Sequence, residues 1–413
     1  MPARQNFKKQ TLMARQPIFN EKIETVAYEL LYRSDKNNNQ AVFDFSGSLA
    51  TINVLLNSFT SIYQNKKLKR LPAFINLTYD LIVNNTLPKL PTSQIVLEIL
   101  EDVEVTDELI NSVKSLRNKG YTIALDDFIY DDKFIPLLKL AHIIKVDVLE
   151  MSLDEVTEQV EKLKDYKVSL LAEKIETHEM LEHCKSLGFK LFQGYFLSKP
   201  EIVEGSTTDP SQTKILNIIQ ALQNPNISVP QIEKIILQDP VFTFKLLRIV
   251  NSSANNLVRD INSLSEAINI LGIPEVKKWA LIIAMISSDN KSEELSRQLL
   301  IRGRMCEKVA IASGIKNTTG YMIAGMISGA NALLDIEMTE LLSQIPLSKE
   351  IKTAIVDGHG EMGKILQNTI NFGRGNWSEI SSDIDDEMYG SAYRESLHWV
   401  TDSMTAIDQT STV

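Results

Sequence analysis

The stretch Tyr121–Asp132, with the sequence YTIALDDFIYDD, contains the residues best suited to chemistry. Its short apolar run, rich in β-branched and aromatic residues, is typical of a buried strand, and it ends in two adjacent carboxylates, Asp126 and Asp127. Side chains alternate between the two faces of a strand, so one of these acids must point inward at that end of the sheet. A buried carboxylate needs a cation or a hydrogen-bond network, so the pair predicts a charged site.

Other predicted strands bring matching polar groups to their ends. These groups come from Glu29, Asn76, Glu98, Lys145, Glu173 and Gln193. A single acid in such a position is ordinarily a helix N-cap or a solvated loop residue, but recurrence on successive strands favours a shared site. Carboxylate and amide oxygens suit Mg²⁺ or Mn²⁺ rather than zinc. Two such ions can hold an in-line phosphoester displacement, and Lys145 would offset the negative charge that develops on the phosphoryl group.

These residues lie where strand-like and helix-like segments alternate. The predicted strands are Val26–Tyr32, Ala73–Leu77, Ile95–Leu100, Thr122–Asp126, Ile143–Val148, Ser169–Glu173 and Lys190–Gln193. The predicted helices between them are Ser48–Ile62, Asp107–Asn118, Leu153–Tyr166 and His178–Leu187. Repeated β–helix–β units predict an α/β fold of the (βα)8 barrel type, whose functional site lies at the C-terminal ends of the strands.

Short motifs occur in a fixed order between residues 13 and 200. They are Gln16-Pro17-Ile18, Glu29-Leu30-Leu31-Tyr32-Arg33, Phe74-Ile75-Asn76-Leu77, Glu98-Ile99-Leu100-Glu101, Asp126-Asp127-Phe128, Lys145-Val146-Asp147, Ala172-Glu173-Lys174-Ile175-Glu176-Thr177 and Gln193-Gly194-Tyr195. Their order resembles that of the EAL domain, the family of cyclic di-GMP phosphodiesterases, in which the second motif reads E-A-L-x-R and the seventh A-E-G-V-E-T. The ordered set is far more specific than any one motif.

The resemblance implies a role for each matching position. The implied ligands of Mg²⁺ or Mn²⁺ are Glu29, Asn76, Glu98, Asp126 and Asp127. The implied catalytic residues are Glu29, Lys145 and Glu173, of which the last two position water, metal and phosphate. Gln16 and Arg33 would contact the dinucleotide, and Gln193 would help to close the site.

The loop after the carboxylate pair departs from the family pattern. The family's D-D-F-G-T-G is here Asp126–Asp131, DDFIYD, with both glycines replaced. Losing glycine restricts positive φ angles, so we expect a differently shaped loop. In the family this loop couples metal binding to dimerisation, so the resemblance also admits a homodimer. The complete ligand set with an altered loop leaves both catalysis and nucleotide binding without turnover open.

Beyond a polar, breaker-containing stretch, Glu201–Thr213, the pattern becomes helical and predicts an all-α domain. The predicted helices are Ile215–Leu222, Val229–Leu237, Val241–Val250, Leu264–Leu271, Glu275–Ser287, Glu293–Ala312, Tyr321–Leu333 and Ser348–Val356. Residues Asp402–Val413 lack a strong pattern and are predicted to be a loose tail. We therefore expect a barrel over residues 1–203 and a helical domain over residues 204–413.

The helical half contains the segments Asp239-Pro240, Lys245–Ser252 and Ser263–Gly272, followed by Trp279. With these residues it resembles the HDOD domain, a relative of the HD phosphohydrolases, over roughly residues 213–390. In HD enzymes a metal-binding His-Asp pair follows a segment like Ala324–Ile327, but here Ser328 and Gly329 follow it. Neither can replace an imidazole or a carboxylate as a ligand. The resemblance thus implies a non-catalytic relay module that binds a protein partner.

Composition narrows the function classes. The chain of 413 residues carries a net charge of −10, which disfavours binding to a nucleic-acid backbone. Its two cysteines, Cys184 and Cys306, are far apart, as is usual for free thiols in a reducing compartment. The sequence contains no uninterrupted apolar run of membrane-spanning length, so we expect a cytoplasmic protein without a membrane span.

Three hypotheses follow for function. The first is a phosphodiesterase that opens cyclic di-GMP to linear pGpG and is coupled to the relay domain. The alternative is a degenerate, catalytically inactive EAL domain that serves as a cyclic di-GMP receptor or a protein-binding scaffold. Regulated RNA binding by the helical half is a third class, which the charge disfavours.

Overall fold

The computed structural model describes residues 12–33, 56, 59–64, 67–84, 87–194, 210–224, 226–237, 240–251, 263–286, 293–334, 336–376, 379–380 and 386–408. The chain divides into two compact units. One contains residues 1–61, 70–198 and 373–378, and the other contains residues 62–69, 199–372 and 379–413. Each unit is described separately below.

The first unit is an α/β barrel, as the sequence predicts. In the described part of the chain the strands are β1 (Leu12–Asn20), β2 (Thr25–Arg33), β3 (Ser61–Gln64), β4 (Lys67–Arg70), β5 (Ala73–Leu77), β6 (Ile95–Ile99), β7 (Thr122–Leu125), β8 (Ile143–Asp147), β9 (Ser169–Glu173) and β10 (Leu191–Phe192). Eight of them close the barrel in the order β1-β10-β9-β8-β7-β6-β5-β2, while β3 and β4 pair with each other. All seven predicted strands are confirmed to within two residues of their observed ends.

Strand β1, absent from the predicted strands, closes the barrel and runs against its neighbours. It is antiparallel to both β2 and β10, whereas the other barrel pairs are parallel. A tight turn explains this direction, because the side chain of Asn20 accepts hydrogen bonds from the backbone of Lys22 at 2.9 Å and of Glu24 at 3.0 Å. The chain therefore returns as a hairpin, with no room for a crossover helix between β1 and β2. Arg15, Gln16 and Pro17 interrupt the apolar pattern of β1, so alternation does not reveal it.

Short helices connect the parallel strands. They are α1 (Tyr79–Val83), α2 (Asp107–Asn118), α3 (Ile135–Leu138, after a 3₁₀ turn at Asp132–Phe134), α4 (Leu153–Leu163) and α5 (His178–Ser186). Thr106, Ser152 and Thr177 cap α2, α4 and α5 by accepting backbone N–H groups of the first turn. The predicted helix Ser48–Ile62 lies mostly outside the described residues, and its last two positions belong to β3.

One layer of apolar side chains fills the barrel interior. It consists of Ile18, Ala27, Phe74, Val96, Ala124, Ile143 and Leu171, with Leu191 packed against it. Each barrel strand contributes one inward-facing residue to this set, so the interior is a packed core and not a pore. Because inward positions recur every second residue, the next inward position on each strand lies one layer closer to the rim.

Apart from the residues of β3 and β4 that fall in it, the second unit is helical, as predicted. Its described helices are α6 (Pro210–Gln223), α7 (Val229–Leu237), α8 (Pro240–Val250), α9 (Leu264–Leu271), α10 (Ile273–Ile286), α11 (Glu293–Ala312), α12 (Thr319–Ile327), α13 (Ala330–Leu334), α14 (Met338–Gln344), α15 (Lys349–Val356), α16 (Gly360–Arg374) and α17 (Asp386–Asp408). The predicted helix Tyr321–Leu333 is split into α12 and α13. The predicted linker Glu201–Thr213 ends earlier, because α6 begins at Pro210.

The prediction of a loose tail at Asp402–Val413 is wrong for residues 402–408, which form the end of α17. Val400, Met404 and Ile407 are buried at helical spacing on one face. The hydroxyls of Thr401 and Thr405 donate to backbone carbonyls four residues earlier, at 2.9 and 2.7 Å. These residues look like loop residues in sequence, but their polar groups are satisfied within the helix.

Candidate functional site

The candidate site is the layer of inward-facing residues directly above the apolar layer of the barrel. Outside β1, two positions after each apolar residue of that layer lies one residue of the site. The pairs are Ala27 and Glu29, Phe74 and Asn76, Val96 and Glu98, Ala124 and Asp126, Ile143 and Lys145, Leu171 and Glu173, and Leu191 and Gln193. On the antiparallel strand β1 the order is reversed, and Gln16 lies two positions before Ile18. The period of two therefore brings all of these predicted site residues to one mouth of the barrel.

The ammonium of Lys145 lies at the centre of this layer. Its Nζ is 2.6 Å from Asp126 Oδ1, 2.8 Å from Glu98 Oε1, 2.9 Å from Glu173 Oε1 and 3.4 Å from Glu29 Oε1. The Lys145 and Glu98 side chains retain 1% and 0% of their accessible surface. One cation is thus surrounded by four carboxylates, and the cluster holds an excess of negative charge.

Burial and this excess charge shift the acid–base equilibria of the site. Burial raises the pKa of Glu98 and of Glu173 well above the usual value; Lys145 opposes the shift, and neighbouring carboxylates reinforce it. Burial by itself would lower the pKa of Lys145, but the attraction of the carboxylates outweighs burial and raises this pKa. Lys145 therefore stays charged, and the cluster tends to take up protons when no other cation is present.

The two glutamine side chains join the cluster from β1 and β10. Gln193 Nε2 donates to Glu29 Oε2 at 2.6 Å and to Gln16 Oε1 at 2.9 Å. Gln193 thus links Gln16 to Glu29 at the barrel mouth. The side chain of Arg33, also predicted to contact a dinucleotide, lies outside the described residues.

The donor set fits a divalent cation. Asn76 Oδ1, Glu98 Oε2, Glu173 Oε2 and Gln193 Oε1 are buried, and none of them accepts a hydrogen bond from the described residues. Asn76 and Glu98 are register partners on β5 and β6. Oxygens of Asp126, Asp127 and Glu173 lie within 4.8 Å of one another and could hold a metal ion. Buried oxygens without donors are costly unless a cation satisfies them.

Asp126 and Asp127 divide as the alternation argument predicts. The Asp126 carboxylate points inward and pairs with Lys145. The Asp127 side chain is 38% exposed, and the Asp127 backbone is left-handed, with φ of 38°. Burial raises the pKa of Asp127, and the charge of Asp126 raises it further.

Contacts that sequence reasoning missed hold the loop after Asp127. The Phe128 ring packs edge-on against Phe134, with ring centroids 5.5 Å apart, and the backbone N–H of Tyr130 donates to Gln159 Oε1 at 3.0 Å. These contacts anchor a loop in which the family's two glycines are replaced. Between this loop and the end of β6 lies a cavity of about 340 Å³. Its lining is mainly apolar and also includes Glu101, Asp126, Asp127, Asp131 and Lys133.

Lys174 is a second cation at the mouth that sequence reasoning did not assign. Its Nζ forms an ion pair with Asp147 and lies 3.6 Å from Asp127 Oδ2. Its position in the Ala172–Thr177 motif, where the family has glycine, was the one available signal.

The helical unit has no comparable cluster among its described residues at the position expected from HD enzymes. Ser328 accepts a hydrogen bond from Arg302 at 3.0 Å and donates to the Gly325 carbonyl at 2.8 Å. A Cβ on Gly329 would approach Arg302 Nη1 to 3.1 Å. His359 and His398 are exposed. Serine and glycine, packed against Arg302, therefore follow the Ala324–Ile327 segment.

Among the described residues, no helix combines the length and apolarity that a membrane crossing requires.

Comparisons with known proteins agree with this architecture. The EAL domain model matches residues 3–200, and the HDOD domain model matches residues 210–344. A Vibrio cholerae protein named cyclic di-GMP phosphodiesterase CdgJ is 31% identical over 374 residues, which cover 90% of this chain and 86% of the relative. The chain belongs to the EAL–HDOD family. The uncharacterized protein YuxH of Bacillus subtilis is also 31% identical to this EAL–HDOD protein, over 406 residues that cover 95% of this chain and 99% of the relative.

Solved EAL structures align with part of the EAL–HDOD chain. The Klebsiella pneumoniae BlrP1 complex with calcium and cyclic di-GMP has 23% identity and a TM-score of 0.36, covering 47% of this chain and 57% of that chain. A standalone EAL protein from Vibrio cholerae in a cyclic di-GMP-bound form has 23% identity and a TM-score of 0.35. The alignment covers 46% of this chain and 92% of that chain.

Proposed function

We propose that this EAL–HDOD protein is a metal-dependent phosphodiesterase that hydrolyses cyclic di-GMP to linear pGpG. The observation that carries the proposal is the cluster at the barrel mouth, in which four carboxylates surround Lys145 and several buried oxygens lack donors. A relative that matches along 86% of its length is named a cyclic di-GMP phosphodiesterase, which supports the substrate class.

The chemistry of the donor set favours Mg²⁺ or Mn²⁺ as the cofactor. Glu29, Asn76, Glu98, Asp126 and Asp127 would hold the ions through hard oxygen atoms. When bound, a pair of such ions supplies an activated water and stabilises the leaving oxygen of a phosphodiester. No cysteine or histidine is among the donors, as expected for a site that selects Mg²⁺ or Mn²⁺.

The residues of the chain itself have distinct roles in this proposal. Lys145 holds Glu29, Glu98, Asp126 and Glu173 in place and offsets charge that develops on the phosphoryl group. Glu173 orients the attacking water. Gln16 and Gln193 fix the Glu29 carboxylate and, together with Arg33, contact the dinucleotide.

We propose that the two domains have different roles. The barrel over residues 1–203 is catalytic, and the helical domain over residues 204–413 binds a protein partner and relays a signal to it. The HDOD match and the Ser328–Arg302 hydrogen bond support a non-catalytic role for the second domain.

Turnover of cyclic di-GMP by the purified full chain tests the proposal. With Mn²⁺ or Mg²⁺ present, chromatography should detect linear pGpG for the wild type and for the exposed control Glu179→Gln. Glu29→Gln should lower the rate by a factor of at least about 100, because it removes a charged oxygen from the transition-state site. Equal product formation by wild type and Glu29→Gln, or its absence in both, would refute hydrolysis at this site.

A cyclic di-GMP receptor without turnover is the second candidate. The glycine-free loop and the left-handed backbone of Asp127 favour it, because they alter the side of the site that carries two of the acids. Titration calorimetry with cyclic di-GMP separates the candidates: binding without product identifies a receptor, and absence of binding identifies a scaffold.

A further inference from the structure

Two non-glycine residues with left-handed backbones face each other at the barrel mouth. Asp127 has φ of 38° and Lys174 has φ of 55°, and they follow the ends of β7 and β9. A side chain in this region is strained because its Cβ crowds the backbone carbonyl. The chain thus accepts strain at Lys174, a position where glycine would have none.

The strained backbone places the Lys174 ammonium on the rim of the acidic cluster. Its Nζ forms an ion pair with Asp147 and lies 3.6 Å from Asp127 Oδ2. The side chain is 49% exposed, so the ammonium approaches Asp127 from the solvent side. Lys145 offsets part of the negative charge of the same cluster from within the barrel.

Asp127 is also one of the three acids whose oxygens lie within 4.8 Å of one another. A second acid of this group, Glu173, is buried and has an oxygen that accepts no hydrogen bond from the described residues. A divalent ion bound by this group would lie within a few ångströms of the Lys174 ammonium and would be repelled by it.

We propose that Lys174 is a positioning residue that acts as a built-in counter-cation of Asp127 and competes with the divalent ion for it. In the metal-free protein the Lys174 ammonium lies within ion-pair distance of Asp127, with Asp147 as its nearer partner, and reduces the repulsion among the carboxylates. When the ion binds, the ammonium must move away from Asp127. Lys174 therefore raises the metal concentration that is needed to occupy the site. This inference rests on the proposed metal-dependent function and adds a residue that tunes it.

Binding of Mn²⁺ to the full chain, followed by calorimetry and by the electron paramagnetic resonance signal of free Mn²⁺, tests the proposal without nucleotide. Lys174→Gly removes both the charge and the backbone strain, Lys174→Ala removes the charge but retains a Cβ, and Lys174→Arg retains the charge. We expect the Gly and Ala variants to bind Mn²⁺ more tightly, on the order of tenfold, and the Arg variant to resemble the wild type. The gain should shrink in high salt, because salt screens half-exposed charges.

The outcomes separate this proposal from the proposed function. Tighter binding in both neutral variants supports Lys174 as a competing cation. Unchanged affinity in both, or a gain in Lys174→Gly alone, overturns it while leaving metal-dependent hydrolysis intact. If neither the wild type nor any variant binds Mn²⁺, the metal site itself and the present proposal both fail.

Discussion

Lys145 Nζ lies 2.8 Å from Glu98 Oε1, and both side chains are almost completely buried in the barrel. Neither ion can be removed without consequence, since the partner would be left charged in a low-dielectric interior. Three further carboxylates share the same ammonium. The catalytic proposal and the stability of the barrel therefore depend on one buried cation.

Replacing Lys145 with Met should destabilise the barrel in metal-free buffer. We expect the free energy of unfolding to fall by about 3 to 5 kcal/mol, because four carboxylates lose their buried cation. Denaturant unfolding in the presence of a chelator measures this loss. The exposed Lys167→Met is the matched control and should change little. Equal unfolding midpoints for Lys145→Met and the control would contradict the central role of this ammonium.

His142 should make the barrel less stable in mild acid. The backbone N–H of Ile123 donates to His142 Nδ1 at 3.0 Å, which requires a neutral imidazole. Burial lowers the pKa of His142, and the positive charge of Arg117 lowers it further. The folded pKa is below the unfolded pKa, so the stabilisation is complete above about pH 6.5 and is lost as the pH falls through the folded value.

Stability measured between about pH 7 and about pH 5 checks this prediction. His142→Asn retains an acceptor near Nδ1 but cannot titrate, so its unfolding midpoint should depend less on pH than that of the wild type. Parallel pH profiles for the two proteins would argue against a role of His142.

Gly194→Ala should disturb the candidate site through the backbone. A Cβ at this position would overlap the backbone N and O of Ile175, and the neighbouring Gln193 carbonyl accepts the Ile175 N–H at 3.0 Å. We expect Gln193 to lose its alignment with Glu29, and cyclic di-GMP affinity to fall roughly tenfold, the equivalent of one or two hydrogen bonds. Calorimetry measures the affinity.

Gly188→Asn is the control, because a Cβ there meets nothing within 4 Å and Asn tolerates a positive φ. Retention of wild-type affinity by Gly194→Ala would contradict the proposed role of Gln193.

Gly325→Ala should destabilise the helical domain, because α11 and α12 approach closely at this point. A Cβ on Gly325 would lie 2.7 Å from Gly303 Cα and 2.9 Å from the Arg302 carbonyl oxygen. We expect a loss of about 1 to 3 kcal/mol in the free energy of unfolding, as is typical of overpacking. Gly320→Ala is a control within the same helix, since its nearest contact is the flexible end of Met362 at 3.4 Å. Thermal unfolding compares the two variants, and similar melting temperatures would refute a close helix approach.

Local patterns in the sequence were sufficient to predict most barrel strands and the polar residues at their ends. Glu29, Glu98, Lys145 and Glu173 occupy inward positions two residues beyond apolar ones, and this alternation is visible in a single strand. Helices α2, α7 and α11 begin and end at the residues that their apolar patterns predict. These features depend on residues a few positions apart, so short-range rules describe them.

Only the tertiary structure decided which groups meet. Glu29 and Gln193 form a hydrogen bond across 164 residues because the antiparallel β1 closes the barrel between them, and no local pattern encodes that closure. The approach of Lys174 to Asp127 likewise depends on two left-handed residues after different strands. The sequence alone determined which chemical groups are available at the strand ends. Barrel closure and backbone strain determined which of these groups form ion pairs and hydrogen bonds, because the distances between groups on different strands depend on every strand in between.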